Sequence, residues 1–244
     1  MALGLFAGVI LAGSLYALPE FLRKVYPAQL SATQTGQIMC IYALTAAAIR
    51  PLVAKGIARF GQRKAIAFAF AMLVVSMFLF ARLMTIGTPD IDYAIPLILY
   101  AFCLAPMLSA TSSGTVGKMP LSDQLDAVAI YMTVRQLGAS LGVTMVTIVL
   151  NWRETLHSSR LYEYLHAGAT QTQGWMSTAA QSIIQRGGYS PFEARHMALG
   201  LLSRLGARQA AALAYADAFL FMAGIGLVAL FFVPLMPPTP VVKK

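Results

Sequence analysis

Three charged side chains stand inside apolar stretches of this chain, where charge is costly. Asp217 lies within LAYADAFLFMAGIGL, Glu20 follows Pro19 at the end of the first apolar run, and Arg135 falls in VRQLGASLGVTMVTIVLN. Such a group at bilayer depth costs roughly 2.5–3.5 kcal/mol on insertion scales, so each is a functional candidate by default. Asp217 is some eight residues into the last apolar run, about 10 Å at helical rise. Withdrawal from water favours a neutral acid, which suits a residue that takes up and releases protons. Asp217 and Glu20 are therefore the proton-coupling candidates. Each has a plainer role open to it. Asp217 could hydrogen-bond at a helix contact, and Glu20 could pair with Lys24 at i+4 or Arg23 at i+3.

Arg135 is followed on the same helical run by Gly138 and Gly142, a G-x-x-x-G pair that lets a second helix approach closely. A gating or structural role is expected for all three. Arg135 should face the bundle interior and needs an acceptor, but it lies too far along the membrane normal from Asp217 to pair with it. Arg50 is expected to snorkel towards headgroups. Four aromatic residues within the apolar runs, Tyr16, Tyr42, Phe102 and Tyr131, could line a cavity for lipophilic cations through their ring faces. Packing is the alternative for each.

Other chemistry finds little footing. Cys40 and Cys103 sit in apolar runs, with neither a disulfide framework nor a metal-ligand spacing. His157, His166 and His196 all fall between residues 152 and 208, outside any apolar run, and no H-E-x-x-H occurs. An intramembrane enzyme needs a nucleophile and a base at depth. The chain is thus not expected to be an enzyme, and neither a metal nor a cofactor is expected.

The elements that must carry these residues are membrane helices. The composition is 58% hydrophobic and 11% charged, against roughly 45–50% and 25% in soluble domains. An all-α, polytopic membrane protein follows. Six runs long enough to span a bilayer cover about 2–22, 37–53, 65–86, 93–112, 127–150 and 209–235. Residues 1–151 thus hold five spans, 152–208 form an extramembrane amphipathic loop, and 209–244 hold the last span and a basic tail. Within the loop, Ser190-Pro191-Phe192-Glu193 is a capping box with Pro at the first helical position, starting a helix expected to end near Gly206.

Between the second and third spans lies AKGIARFGQRK, residues 54–64, read as a loop carrying Lys55, Arg59, Arg63 and Lys64 with Gly56 and Gly61. A short loop dense in Lys and Arg belongs on the cytoplasmic side. Both termini are then cytoplasmic too. Short inside segments carry seven basic residues and short outside segments three, although the six arginines of the long loop oppose that margin. With the basic charge beside spans, the net charge of +9 points to anionic lipid headgroups rather than nucleic acid.

The hairpin resembles the loop signature G-x-x-x-D-R-x-G-R-R/K of the major facilitator superfamily. Arg59, Gly61, Arg63 and Lys64 match it, while Ala54 and Ala58 stand where that signature has Gly and Asp. LYALPEFLRKVYPAQLSATQTG, VRQLGASLGVTMVTIVLNWRETLHSSRL and LAYADAFLFMAGIGL follow in order across nearly the whole chain. Together they are similar to the last six helices of the fourteen-helix drug:proton antiporters of the EmrB/QacA type. The resemblance implies one half of a two-half transporter, whose substrate path lies between the halves near the bilayer midplane. It implies a gating role for Arg59, Gly61, Arg63 and Lys64, a small lipophilic substrate, and a proton as the coupled ion. The family's G-x-x-x-G-P-x-x-G-G signature is absent here. The expectation is therefore a C-terminal half that needs a missing N-terminal half or a homodimer partner, as a truncated gene or misplaced start would leave it. A non-transporting accessory or remnant is the rival reading, and a periplasmic adaptor is conceivable.

Overall fold

The computed structural model describes residues 2–26, 30–85, 90–116, 120, 122–167 and 169–235. Seven α-helices follow one another: α1 (Ala2–Lys24), α2 (Ala32–Phe60), α3 (Gln62–Leu83), α4 (Ala94–Val116), α5 (Gln124–Ala167), α6 (Ala169–Gly187) and α7 (Pro191–Phe232). Short 3₁₀ turns occupy Asp90–Tyr93 and Val233–Leu235. No strand occurs among the described residues. Five helices (α1, α2, α3, α5 and α7) are long and apolar enough to cross a membrane, and α4 adds a shorter apolar stretch, Ala94–Leu104. Lys118 and the tail 236–244 lie outside the described residues.

The bundle is organised by α1, which packs chiefly on α5 and then on α7, while α3 lies between α4 and α7 and α2 leans on α4. Small residues make the closest of these contacts. A Cβ added at Gly8 of α1 would fall on the Arg135 carbonyl of α5. One added at Gly138 or Gly142 would fall on the Leu5 or Val9 carbonyl of α1. The G-x-x-x-G of α5 thus meets the Leu5 and Val9 backbone of α1, and Gly8 meets the Arg135 and Ala139 backbone of α5, as van der Waals packing in lipid favours. Aromatic residues fill the rest. Phe80 packs against Phe219 with ring centres 5.2 Å apart, Phe21 edge-to-face on Tyr215 at 5.5 Å, and Phe6 against Phe232 at 5.7 Å. These pairs put the C-terminal ends of α1 and α3 at the same end of the bundle as the first apolar turns of α7. The α2–α3 junction therefore lies at the opposite end.

Two sequence expectations change shape. Residues 54–64 are not a loop of a dozen residues, because α2 runs to Phe60 and α3 starts at Gln62. Gly61 alone makes the turn, at φ 82°, a conformation that favours glycine, and its N–H bonds the Ile57 carbonyl at 3.0 Å. Its neighbours Ala, Ile, Lys and Arg are good or tolerable helix formers, so the helices continue up to it. The helix opening at Ser190 does not end near Gly206 but runs to Phe232. A lone glycine costs a helix only about 1 kcal/mol, and AAALAYADA follows it. Residues 152–208 are largely helical, with α5 running on to Ala167 and α7 passing from Pro191 into the last apolar stretch without a break. At 44 and 42 residues they are about 63–66 Å long, twice the hydrocarbon thickness. α6 packs mainly on α7.

The capping box is present as read. Ser190 Oγ accepts from the Glu193 N–H at 3.3 Å, and the Glu193 carboxylate accepts from the Ser190 hydroxyl at 2.8 Å and backbone N–H at 3.0 Å. Those bonds hold the Glu193 acid below its usual range. Ser190→Ala is expected to speed amide exchange in the first turn of α7 about fivefold while leaving residues 209–232 unchanged, as hydrogen–deuterium exchange would show. Equal exchange in the two proteins would mean that tertiary contacts hold the turn.

Candidate functional site

Asp217 has partners that its sequence neighbourhood does not suggest. Its Oδ2 lies 2.7 Å from His157 Nε2 and 3.4 Å from Arg153 Nε. Arg153 and His157 are four residues apart on α5, so they share one helix face and present two donors to a single carboxylate of α7. The three side chains are 37%, 17% and 24% exposed for Arg153, His157 and Asp217. The Arg153 guanidinium also lies 5.2 Å from the Trp152 ring centre.

From Arg135 to Arg153 is about 27 Å along α5 at helical rise, and Asp217 lies level with Arg153 and His157. Trp152 beside them is largely exposed.

On another face of the same helices, a cavity of about 290 Å³ opens between α1, α5 and α7, with Tyr16, Lys24, Asn151, Glu154, Arg208 and Tyr215 among its walls. Glu20 stands beside it, bound to Lys24 Nζ at 2.9 Å. Arg23 forms no ion pair among the described residues. One end of the bundle thus gathers three carboxylates (Glu20, Glu154 and Asp217) with the cations Lys24, Arg153 and Arg208.

The other candidates are dispersed. Arg135 is partly buried, its Nη2 only 3.5 Å from the Met132 sulfur. Its Nε is buried without a hydrogen-bond partner among the described residues. As the sequence implies, it is not near Asp217. Gly138 and Gly142 form the α1–α5 contact, and Arg59, Gly61, Arg63 and Lys64 form the α2–α3 junction. Of the aromatics, Tyr16 lines the polar cavity and Phe102 lines a second, apolar one between α2, α3 and α4. Tyr131 is buried against Gly4, its hydroxyl 2.7 Å from the Thr111 hydroxyl. Tyr42 stacks on Tyr100 at 5.5 Å. A buried polar contact not foreseen from the sequence joins the Ser14 and Tyr100 hydroxyls, with Ser14 also donating to the Ile10 carbonyl at 2.7 Å. Among the described residues no group of His, Cys, Asp and Glu could hold a metal ion. The side chain of His166 lies outside the described residues.

No family model matches the chain. Over 171 residues, 70% of its length, it is 24% identical to the colistin resistance protein EmrB of Acinetobacter baumannii. The aligned segment spans 32% of that protein, so the chain corresponds to about a third of the curated relative it matches. The chain is a multi-pass helical membrane protein with a distant likeness to that resistance protein.

Proposed function

We propose that this chain is the C-terminal half of a proton-coupled multidrug transporter of the major facilitator type, exporting lipophilic or cationic compounds across the cytoplasmic membrane. The observation that carries the reading is the alignment of 70% of the chain with a colistin resistance protein, on a bundle of apolar membrane helices. Six spans cross the bilayer, with both termini and the α2–α3 junction cytoplasmic. Asp217 takes up the proton at the outer boundary. As a carboxylate it holds Arg153 and His157, and with it the extension of α5 against α7. Protonation removes the charge that both donors address, and α5 can shift on α7. Glu20, paired with Lys24, is the second proton acceptor on the same side.

Two features support a partner half. Of the 29 residues of α2 only Thr35 and Ile49 are buried. Arg135 keeps an interior guanidinium nitrogen without an acceptor among the described residues, which a facing helix would supply at less cost than leaving it orphaned. The extension built from α5, α6 and α7 reaches about 30 Å past the hydrocarbon and offers a surface to a periplasmic adaptor.

The test is drug accumulation in cells carrying the chain together with the sequence that precedes it at its locus. The panel is ethidium, as a lipophilic cation, and colistin. Lower ethidium accumulation that a protonophore abolishes is the expected result. Stable membrane insertion with unchanged accumulation would favour an accessory or remnant instead.

A further inference from the structure

We infer that the apolar cavity between α2, α3 and α4 is a binding site for an anionic phospholipid, its acyl chain in the cavity and its phosphate on Lys64. The inference rests on the membrane reading but not on transport. The cavity measures about 490 Å³. Leu52, Phe60 and Phe68 on its walls are 58–63% exposed, and Phe102 and Pro106 of α4 also line it. At Gly56 the slot is open space, since an added Cβ would meet nothing within 4 Å. An apolar surface open in this way lies among lipid chains when the helices span a bilayer.

Charge selects which lipid. Lys64 is the one charged residue on the wall among the described residues, with Arg63 beside it and Lys55 and Arg59 across the Gly61 turn. Between Glu20 and Asp90 the chain has no acidic residue at all. Among the described residues none of these four cations forms an ion pair. Asp123 and Asp126, at the start of α5, lie at the same end of the bundle, and among the described residues neither pairs with them; Asp123 accepts from the Ser122 hydroxyl at 2.8 Å. The junction is therefore positive without internal compensation and sits directly above an apolar slot. A lipophilic cation would suit the Phe102 ring but would face four like charges. An anionic amphiphile satisfies both parts, and basic pockets between membrane helices bind such headgroups. A zwitterionic lipid would fill the slot but bring its own ammonium to Lys64.

Native mass spectrometry of the full chain, purified from the membrane fraction and titrated with phosphatidylglycerol or phosphatidylcholine of the same chains, tests this. Wild type should retain phosphatidylglycerol at least fivefold better, and Lys64→Gln should reduce that preference about fivefold. Arg82→Gln, at the opposite end of α3, should leave it unchanged and serves as the folded control. Glycerol 3-phosphate without chains should not compete, which separates a lipid from a free phosphate. Equal retention of the two lipids by wild type, an unchanged preference in Lys64→Gln, or a dimer that excludes lipid would each overturn the inference. A chain found outside the membrane fraction would overturn the membrane reading with it.

Discussion

Gly142→Leu will drive α1 away from α5 and destabilise the bundle by about 3 kcal/mol, the upper range for overpacking a close contact. The reason is local. A Cβ at residue 142 falls on the Val9 carbonyl and within 2.7 Å of its Cα, which is backbone and cannot rotate aside. A whole side chain must therefore part the helices along the seam that Gly8 and Gly138 share. Gly142→Ala should show a smaller loss of the same sign. Gly224→Ala is the matched control on α7, because nothing lies within 4 Å of its added Cβ. Thermal unfolding in detergent, followed by the fluorescence of Trp152 and Trp175, reads the difference. A Gly142→Leu protein that melts with wild type would mean that α1 and α5 are not in backbone contact.

Asp217→Asn is expected to abolish proton-coupled export, by at least tenfold, while costing little stability. The carboxylate is a quarter exposed, so its ion pairs with Arg153 and His157 are screened and contribute about 1 kcal/mol or less together. Asparagine keeps the shape and can still accept from Arg153, but it cannot carry a proton. Export by His157→Gln should keep its dependence on the proton gradient, because Asp217 and its Arg153 partner remain, whereas Asp217→Asn should lose that dependence. Measuring melting temperature beside transport separates a positioning role from a merely structural one. If Asp217→Asn transports normally, Glu20 is left as the coupling acid.

Much of the membrane architecture was legible because its signals are local. Run length and charge placement marked the apolar helices, and Ser190 with Glu193 marked the start of α7. The Gly138/Gly142 pair announced a close helix contact, and the structure adds the partner, since nothing in residues 138–142 names Leu5 and Val9. The helix ends were less legible where polarity was mistaken for loop. Lysine and arginine at 54–64 are poor span residues yet good helix formers, so hydropathy ended α2 too soon while the backbone continued to Phe60. The same confusion cut α7 at Gly206 and hid the length of α5. A helix contact was one reading of Asp217, but its partners could not be named, because they lie about 60 residues away on α5. The sole hint was the i, i+4 spacing of Arg153 and His157, a pattern common on solvated helices. Tertiary pairing of this kind leaves no periodic trace.

The most direct test of the proposed function is ethidium-driven proton movement in inside-out membrane vesicles from cells expressing the chain with its preceding sequence. Wild-type vesicles, acidified inside, should lose part of their proton gradient on ethidium addition, and Asp217→Asn vesicles with the same amount of membrane-inserted protein should not. A gradient that ethidium leaves untouched in wild-type vesicles, or dissipates equally in Asp217→Asn, would contradict a proton-coupled exporter that works through Asp217.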